Sequence, residues 1–129
     1  MTTESDFISR VHRKLDPSVY RWKIHDSFHG GIPDCWYHGQ EGKHLFVEYK
    51  YIKTIPKRPS TLIKADLSPL QIEWIGQRTK AGIPVFVVIG CDDGGVILRN
   101  GDYSLRADAW EGRKLSIEEI ADFIKRHAS

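Results

Sequence analysis

Apolar and polar positions change period several times along this chain of 129 residues, and the changes outline its elements. Thr3 with Asp6 reads as a capping box in which Asp replaces the usual Glu or Gln, and Ile8, Val11 and Leu15 recur at helical spacing. The pattern predicts a helix ending near Leu15, stopped by Asp16-Pro17-Ser18. Val19 to Ile24 is rich in aromatic and β-branched residues and predicts a strand. A polar, Gly-terminated connection follows, then a short strand from Asp34 to Tyr37, a turn over His38 to Lys43, and a strand from Leu45 to about Ile52.

Between Lys53 and Asp66 periodicity is lost, which predicts an exposed loop. Ser68-Pro69 opens a second helix, with Ser as N-cap and Pro in the first helical position, and Gly82 is its expected stop. Val85 to Ile89 is a continuous apolar run between Pro84 and Gly90, the pattern of a central strand buried on both faces. Asp92-Asp93-Gly94-Gly95 and Asn100-Gly101 are turn signals around a strand from Val96 to Arg99. Ser116 with Glu119 caps a last helix whose Ile117, Ile120, Ala121 and Ile124 form one apolar stripe. The element order is αβββαβ, then a hairpin-like extension and a helix. The expectation is an α/β fold with a central mixed sheet flanked by helices, in one domain with its core over about 3–90 and an extension over 91–129.

Composition narrows this only a little. A hydrophobic content of 40% and a charged content of 28% are ordinary for a globular protein. A formal net charge of +2 permits a nucleic-acid ligand without demanding one, so a basic footprint has to come from local clustering. Cys35 and Cys91 form no disulfide framework and have no zinc-site spacing with the histidines. The start of the chain is acidic and lacks the apolar stretch of a signal peptide, and no apolar run is long enough to cross a bilayer. The expected home is the cytoplasm, with no membrane partner.

The chemistry concentrates in Gly31-Ile32-Pro33-Asp34 and, fourteen positions after Asp34, Glu48-Tyr49-Lys50. Strand alternation puts Glu48 and Lys50 on one face, roughly 7 Å apart along it, with Leu45, Val47, Tyr49 and Tyr51 on the other. A surface strand with a charged outer face shows the same alternation. Asp34 opens a strand expected to pair antiparallel with the Glu48 strand, which brings two carboxylates together, and close carboxylates repel unless a cation or a proton lies between them. Oxygen ligands without His or Cys favour Mg²⁺, with Mn²⁺ able to substitute. Asp34 also fits simple turn chemistry after Pro33.

Pro33-Asp34 with Glu48-Tyr49-Lys50 resembles the signature of the PD-(D/E)xK nuclease superfamily. Leu67-Ser68-Pro69-Leu70-Gln71 resembles the helix start of its VRR-NUC and Holliday-junction-resolvase-like members. The resemblance implies a restriction-endonuclease-like core and an endonuclease acting on double-stranded or branched DNA in a bacterial or phage-infected cell. It implies metal ligands in Asp34, Glu48, the Tyr49 carbonyl and Glu4, a catalytic Lys50 and a supporting Gln71. Ser68 with Gln71 is equally a capping box, and an acidic Glu4 equally suits a helix N-terminus. Phosphate contacts are expected from Lys53, Lys57, Arg58 and Lys64, from Arg10, Arg13 and Lys14 on the first helix, and from His29, although a solvated loop accounts for the loop cations as well. A homodimer would place two cuts. A catalytically inactive nucleic-acid-binding module of the same fold, and an interaction protein in which Glu48 and Lys50 merely pair, are the competing readings.

Overall fold

The computed structural model describes residues 3–25, 30–99 and 101–129. Helix α1 (Glu4–Lys14) leads into strands β1 (Tyr20–Lys23), β2 (Cys35–His38) and β3 (His44–Tyr51). After the short strand β4 (Leu62–Lys64) come α2 (Pro69–Lys80), β5 (Val85–Cys91), β6 (Gly94–Leu98) and β7 (Ser104–Arg106). A 3₁₀ turn, the one-turn α3 (Trp110–Arg113) and α4 (Ile117–Ala128) finish the chain. The main sheet runs β1-β2-β3-β5-β6, mixed, with β3 and β5 parallel and the other pairs antiparallel. Helix α2 lies on the crossover from β3 to β5, the connection a parallel pair requires. The α/β sandwich expected from the pattern is the one observed.

All three long helices begin with reciprocal capping boxes, Thr3 with Asp6, Ser68 with Gln71 and Ser116 with Glu119. Each box satisfies two otherwise unpaired backbone donors, which fixes where the helix starts. Helices α1 and α4 cover one face of the sheet, where Phe7, Val11, Ile120 and Ile124 meet Leu45, Val47 and Tyr49. On the other face Ile75 of α2 packs with Val85, Val87 and Ile89 of β5, together with Ile63, Leu105 and Trp110. Strand β5 is buried along its whole length, as its unbroken apolar run requires.

Two elements differ from the pattern. The stretch 53–66 is not all exposed loop: Ile63 and Ala65 are buried, and β4 pairs antiparallel with β7. Three residues are too few to show a period, and the partner strand lies some forty positions away. Likewise β6 begins at Gly94 rather than Val96, because only Asp92 and Asp93 make the turn. A side chain at Gly94 would run into the Leu115 carbonyl, so this glycine serves close approach rather than turn geometry. β7 pairs with β4 and not with β6, and α4 packs beside α1 on the face opposite α2.

Candidate active site

The site forms where β2 runs out beside β3. The register pairs Cys35 with Val47, so one step back sets Asp34 opposite Glu48. The link continues to β1, where the Ile24 N–H donates to the Asp34 carbonyl at 2.7 Å. Bonds from Phe46 N–H to the Pro84 carbonyl and from Ile52 N–H to the Gly90 carbonyl show that even-numbered residues of β3 turn their backbone groups toward β5. Tyr49, an odd position, therefore turns its N–H and C=O toward β2. There the register would meet Pro33, which has no N–H to offer the Tyr49 carbonyl. The Tyr49 N–H is taken instead by Asp34, whose Oδ2 accepts it at 2.8 Å. A proline at the strand start thus directs one carboxylate and one backbone carbonyl to the same spot.

Glu48 is only 4% exposed, the one charged residue among the buried polar side chains described. Gln71 Nε2 donates to Glu48 Oε2 at 3.0 Å, while Gln71 Oε1 accepts from the Ser68 N–H at 2.9 Å. One amide therefore bonds both the helix cap and the Glu48 carboxylate. Lys50 Nζ stands 3.6 Å from Glu48 Oε2, with its side chain 27% exposed. Burial foremost, then the Asp34 charge, push the Glu48 carboxyl up to about 8; Lys50 opposes this and Glu4 adds to it.

Glu4, from the first turn of α1, joins the cluster from the opposite layer. Its carboxyl is also raised, by burial first and then by Asp34, with which it stands within hydrogen-bonding range; Lys50 and Lys23 pull it down. Lys23 was not singled out by sequence reasoning. It lies on β1 opposite Cys35, with Nζ 3.3 Å from Ser5 Oγ, and strand alternation from Val19 carried the only signal for it. Among the described residues, no three His, Cys, Asp or Glu side chains converge as a ready-made ligand set. The donor set on offer is two carboxylates and a main-chain carbonyl, with Glu4 beside them. That chemistry fits Mg²⁺, which is commonly held by one or two carboxylates and keeps several waters.

Comparison with known proteins finds likeness in structure and none in sequence: no family model and no curated protein matches the chain. Hjc, a Holliday junction resolvase from the archaeal hyperthermophile Archaeoglobus fulgidus, superposes with a TM-score of 0.57 at 13% identity, over 92% of this chain and 96% of that one. A VRR_NUC domain superposes with a TM-score of 0.51 at 22% identity, over 70% and 87%. The fold is that of the resolvase-like nucleases.

Within this resolvase-like fold the remaining basic residues scatter. Lys53, Lys57 and Arg58 are exposed on the segment leaving the site end of β3, and Lys64 is exposed on β4. Arg10 donates to the Asp92 carbonyl at 2.6 Å, and Lys14 pairs with Glu118 at 3.6 Å. Lys14 lies ten residues along α1 from Glu4, about 15 Å by helix rise; Arg13 is exposed nearby. Arg10 and Lys14 are thus engaged by Asp92 and Glu118. His29 lies outside the described residues. Both cysteines are buried, with thiols pushed up chiefly by burial, Cys35 to about 12, so neither supplies a thiolate.

Gly31 fastens the approach to Asp34 onto α2. Its φ is +88°, and a Cβ there would strike the Leu70 carbonyl, immediately before Gln71. Gly31→Ala is therefore expected to cost about 1–3 kcal/mol from the backbone alone, with the collision added. Urea unfolding measures the loss. Stability equal to the parent's would show that the loop does not need this conformation.

Proposed function

We propose that this chain is a divalent-metal-dependent nuclease that hydrolyses phosphodiester bonds of DNA at Asp34, Glu48 and Lys50. The observation that carries the reading is the pairing of Asp34 and Glu48 in one register row, with Lys50 next on the Glu48 face, inside a resolvase-like fold. Fold alone does not license an activity; the grouping of charged residues at the end of β2 is what supports this reading.

Asp34 and Glu48 would hold the cation, with the Tyr49 carbonyl as a third oxygen and Glu4 at the margin. The chemistry supplied on binding is polarisation of the scissile phosphate and easier loss of a proton from water. Lys50 sets its side-chain nitrogen on the exposed side of Glu48 and would meet the charge that builds on the phosphate oxygens as the bond to water forms. Gln71 holds Glu48 in one orientation by donating to Oε2, leaving its other oxygen for the cation. Lys53, Lys57 and Arg58, exposed on the segment after β3, would meet flanking phosphates. The Holliday junction resolvase among the structural neighbours makes branched DNA the first substrate to try, and a homodimer would give the paired cuts a junction needs.

The test is incubation with supercoiled, linear, single-stranded and four-way-junction DNA, with Mg²⁺ or with EDTA. Cleavage in Mg²⁺ that EDTA abolishes is the expected result. Salt-dependent binding with no cleavage of any substrate would replace this reading with that of a binding module. Gln71→Ala is expected to weaken Mg²⁺ binding about 10- to 100-fold, as loss of a group that orients a ligand typically does, measured by calorimetric titration; unchanged affinity would remove Gln71 from the site.

A further inference from the structure

The face of β1–β2–β3 that carries Glu48 also carries a run of rings. Across the strands the register sets Trp22 opposite Trp36 and Trp36 opposite Phe46, and Tyr20 opposite His38 and His38 opposite His44. The next row along the same face is Asp34 and Glu48, about 7 Å further on. The rings touch one another: Tyr20 stacks on His38 with centroids 4.9 Å apart, and Trp36 lies 5.0 Å from His38 and 6.4 Å from Phe46. Phe46 meets Trp74 of α2 at 5.1 Å, and the Arg78 guanidinium sits over Trp74 at 4.5 Å.

Helix α2 covers the β3 end of this face and leaves the β1 end open. Tyr20 is 52% and Trp22 51% exposed, on an edge strand of the sheet. Half-open tryptophan and tyrosine leave large apolar area in water, a state that calls for a partner. The composition says which one. All six facing positions are rings, none aliphatic, and the flat face of an aromatic ring is what a nucleobase stacks on. A cation at the far end of the ring series and two carboxylates in the adjoining row continue the surface into the site.

We propose that this aromatic face stacks unpaired bases of the DNA strand entering the site, so that the preferred substrate carries a single-stranded segment beside the cut. The inference rests on the nuclease reading for its place in catalysis, but base stacking is measurable without metal. Trp22 and Tyr20 hold the outermost base; Trp36 and Phe46 form the floor that leads to Asp34 and Glu48. Duplex bases, already stacked on one another, have no free face for these rings.

The experiment is fluorescence anisotropy in EDTA with a labelled oligothymidylate of about 15 nucleotides and with a duplex of the same length. The parent chain is expected to bind the single strand more tightly. Trp22→Ala should weaken that binding about 5- to 150-fold, the range for losing one stacked base, and Trp22→Phe should restore most of it. An oligothymidylate carrying 5-iodouracil should photo-crosslink to Trp22 or Tyr20. Single-strand binding unaltered in Trp22→Ala and in Tyr20→Ala would overturn the proposal. So would a dimer that Trp22→Ala dissociates with no change in single-strand binding, which would give the face to a second copy of the chain. Failure of all cleavage in Mg²⁺ would remove the nuclease reading and leave the binding result standing; cleavage with no effect of the rings on binding would do the reverse.

Discussion

Lys50→Ala is expected to lower the rate of DNA cleavage at least about 100-fold, in line with removing one preorganised electrostatic group from a transition state, while circular dichroism and DNA binding persist. The reason lies in where the ammonium stands. Lys50 is on the same face of β3 as Glu48, 3.6 Å from its Oε2, yet over a quarter of its side chain reaches solvent. It can therefore touch a phosphate without leaving the carboxylate. Removing it would delete charge from the proposed site and leave the fold intact, because the core contacts of β3 are made by Leu45, Val47 and Tyr49 on one face and Phe46 on the other. Lys50→Arg keeps the charge on a bulkier, planar group and should recover only part of the rate. Steady-state rates on the best-cleaved DNA decide the matter. Near-parental cleavage by Lys50→Ala would remove this residue from the mechanism.

Glu48→Gln is expected to do two opposite things: abolish metal-dependent cleavage and make the metal-free protein more stable near pH 8. Glu48 is buried, and burial with the Asp34 charge raises its carboxyl from the ordinary value to about 8. In the folded chain it holds its proton to higher pH than in the unfolded chain, so between about 4.5 and 8 the native state binds more protons. Stability contributed by this group is full below the unfolded value and is lost as pH rises through the folded one. His12 works against this at lower pH. Its imidazole is held down to about 4, chiefly by burial, so its own contribution rises with pH until about 6.5. The window from about 6.5 to 8 therefore lies above the His12 contribution, and comparison with Glu48→Gln picks out the Glu48 share from that of Glu4, which is also raised. Over it the metal-free parent should lose stability, Glu48→Gln should lose less, and the gap at pH 8 should reach the order of a few kcal/mol. The amide can still accept from Gln71, so the hydrogen bond survives. Mg²⁺ should stabilise the parent, increasingly as pH rises, and leave Glu48→Gln unmoved. Urea unfolding across this pH range, with and without Mg²⁺, provides the comparison. A variant no more stable than the parent at pH 8 would mean that Glu48 carries no burial strain.

Much of the candidate site is legible in the sequence. Thr3, Ser68 and Ser116 announced three helix starts by hydrogen-bonding rules that act within four residues, and all three hold. Glu48 and Lys50 share a face because strand alternation leaves no alternative. Bringing Asp34 opposite Glu48 took one further assumption, an antiparallel pair through the 38–43 turn, and the register grants it. What escaped was set by distant parts of the chain. β4 is three residues long and takes its order from β7, far away in sequence. Gly94 reads as turn chemistry but answers to Leu115 in a later segment. Arg10 and Lys14 look like free cations on a helix face until Asp92 and Glu118 come round to meet them. The aromatic face was hidden for the same reason: Trp22, Trp36 and Phe46 stand in three separate strands, and only register lines them up. Gln71 is an intermediate case: its capping box is readable from Ser68 and the resemblance implies a supporting role, but its bond to Glu48 is visible only in the structure.

The central claim is that Asp34 and Glu48 together hold a divalent cation on which cleavage depends. Crystals grown with Mn²⁺ and DNA, examined by anomalous scattering at the manganese edge, test it most directly. The account predicts a manganese peak in contact with the carboxylates of Asp34 and Glu48 and with the Tyr49 carbonyl, with Lys50 facing the bound phosphate. A chain that cleaves DNA in Mn²⁺ while its manganese sits elsewhere, or that shows no manganese at these residues, would contradict it.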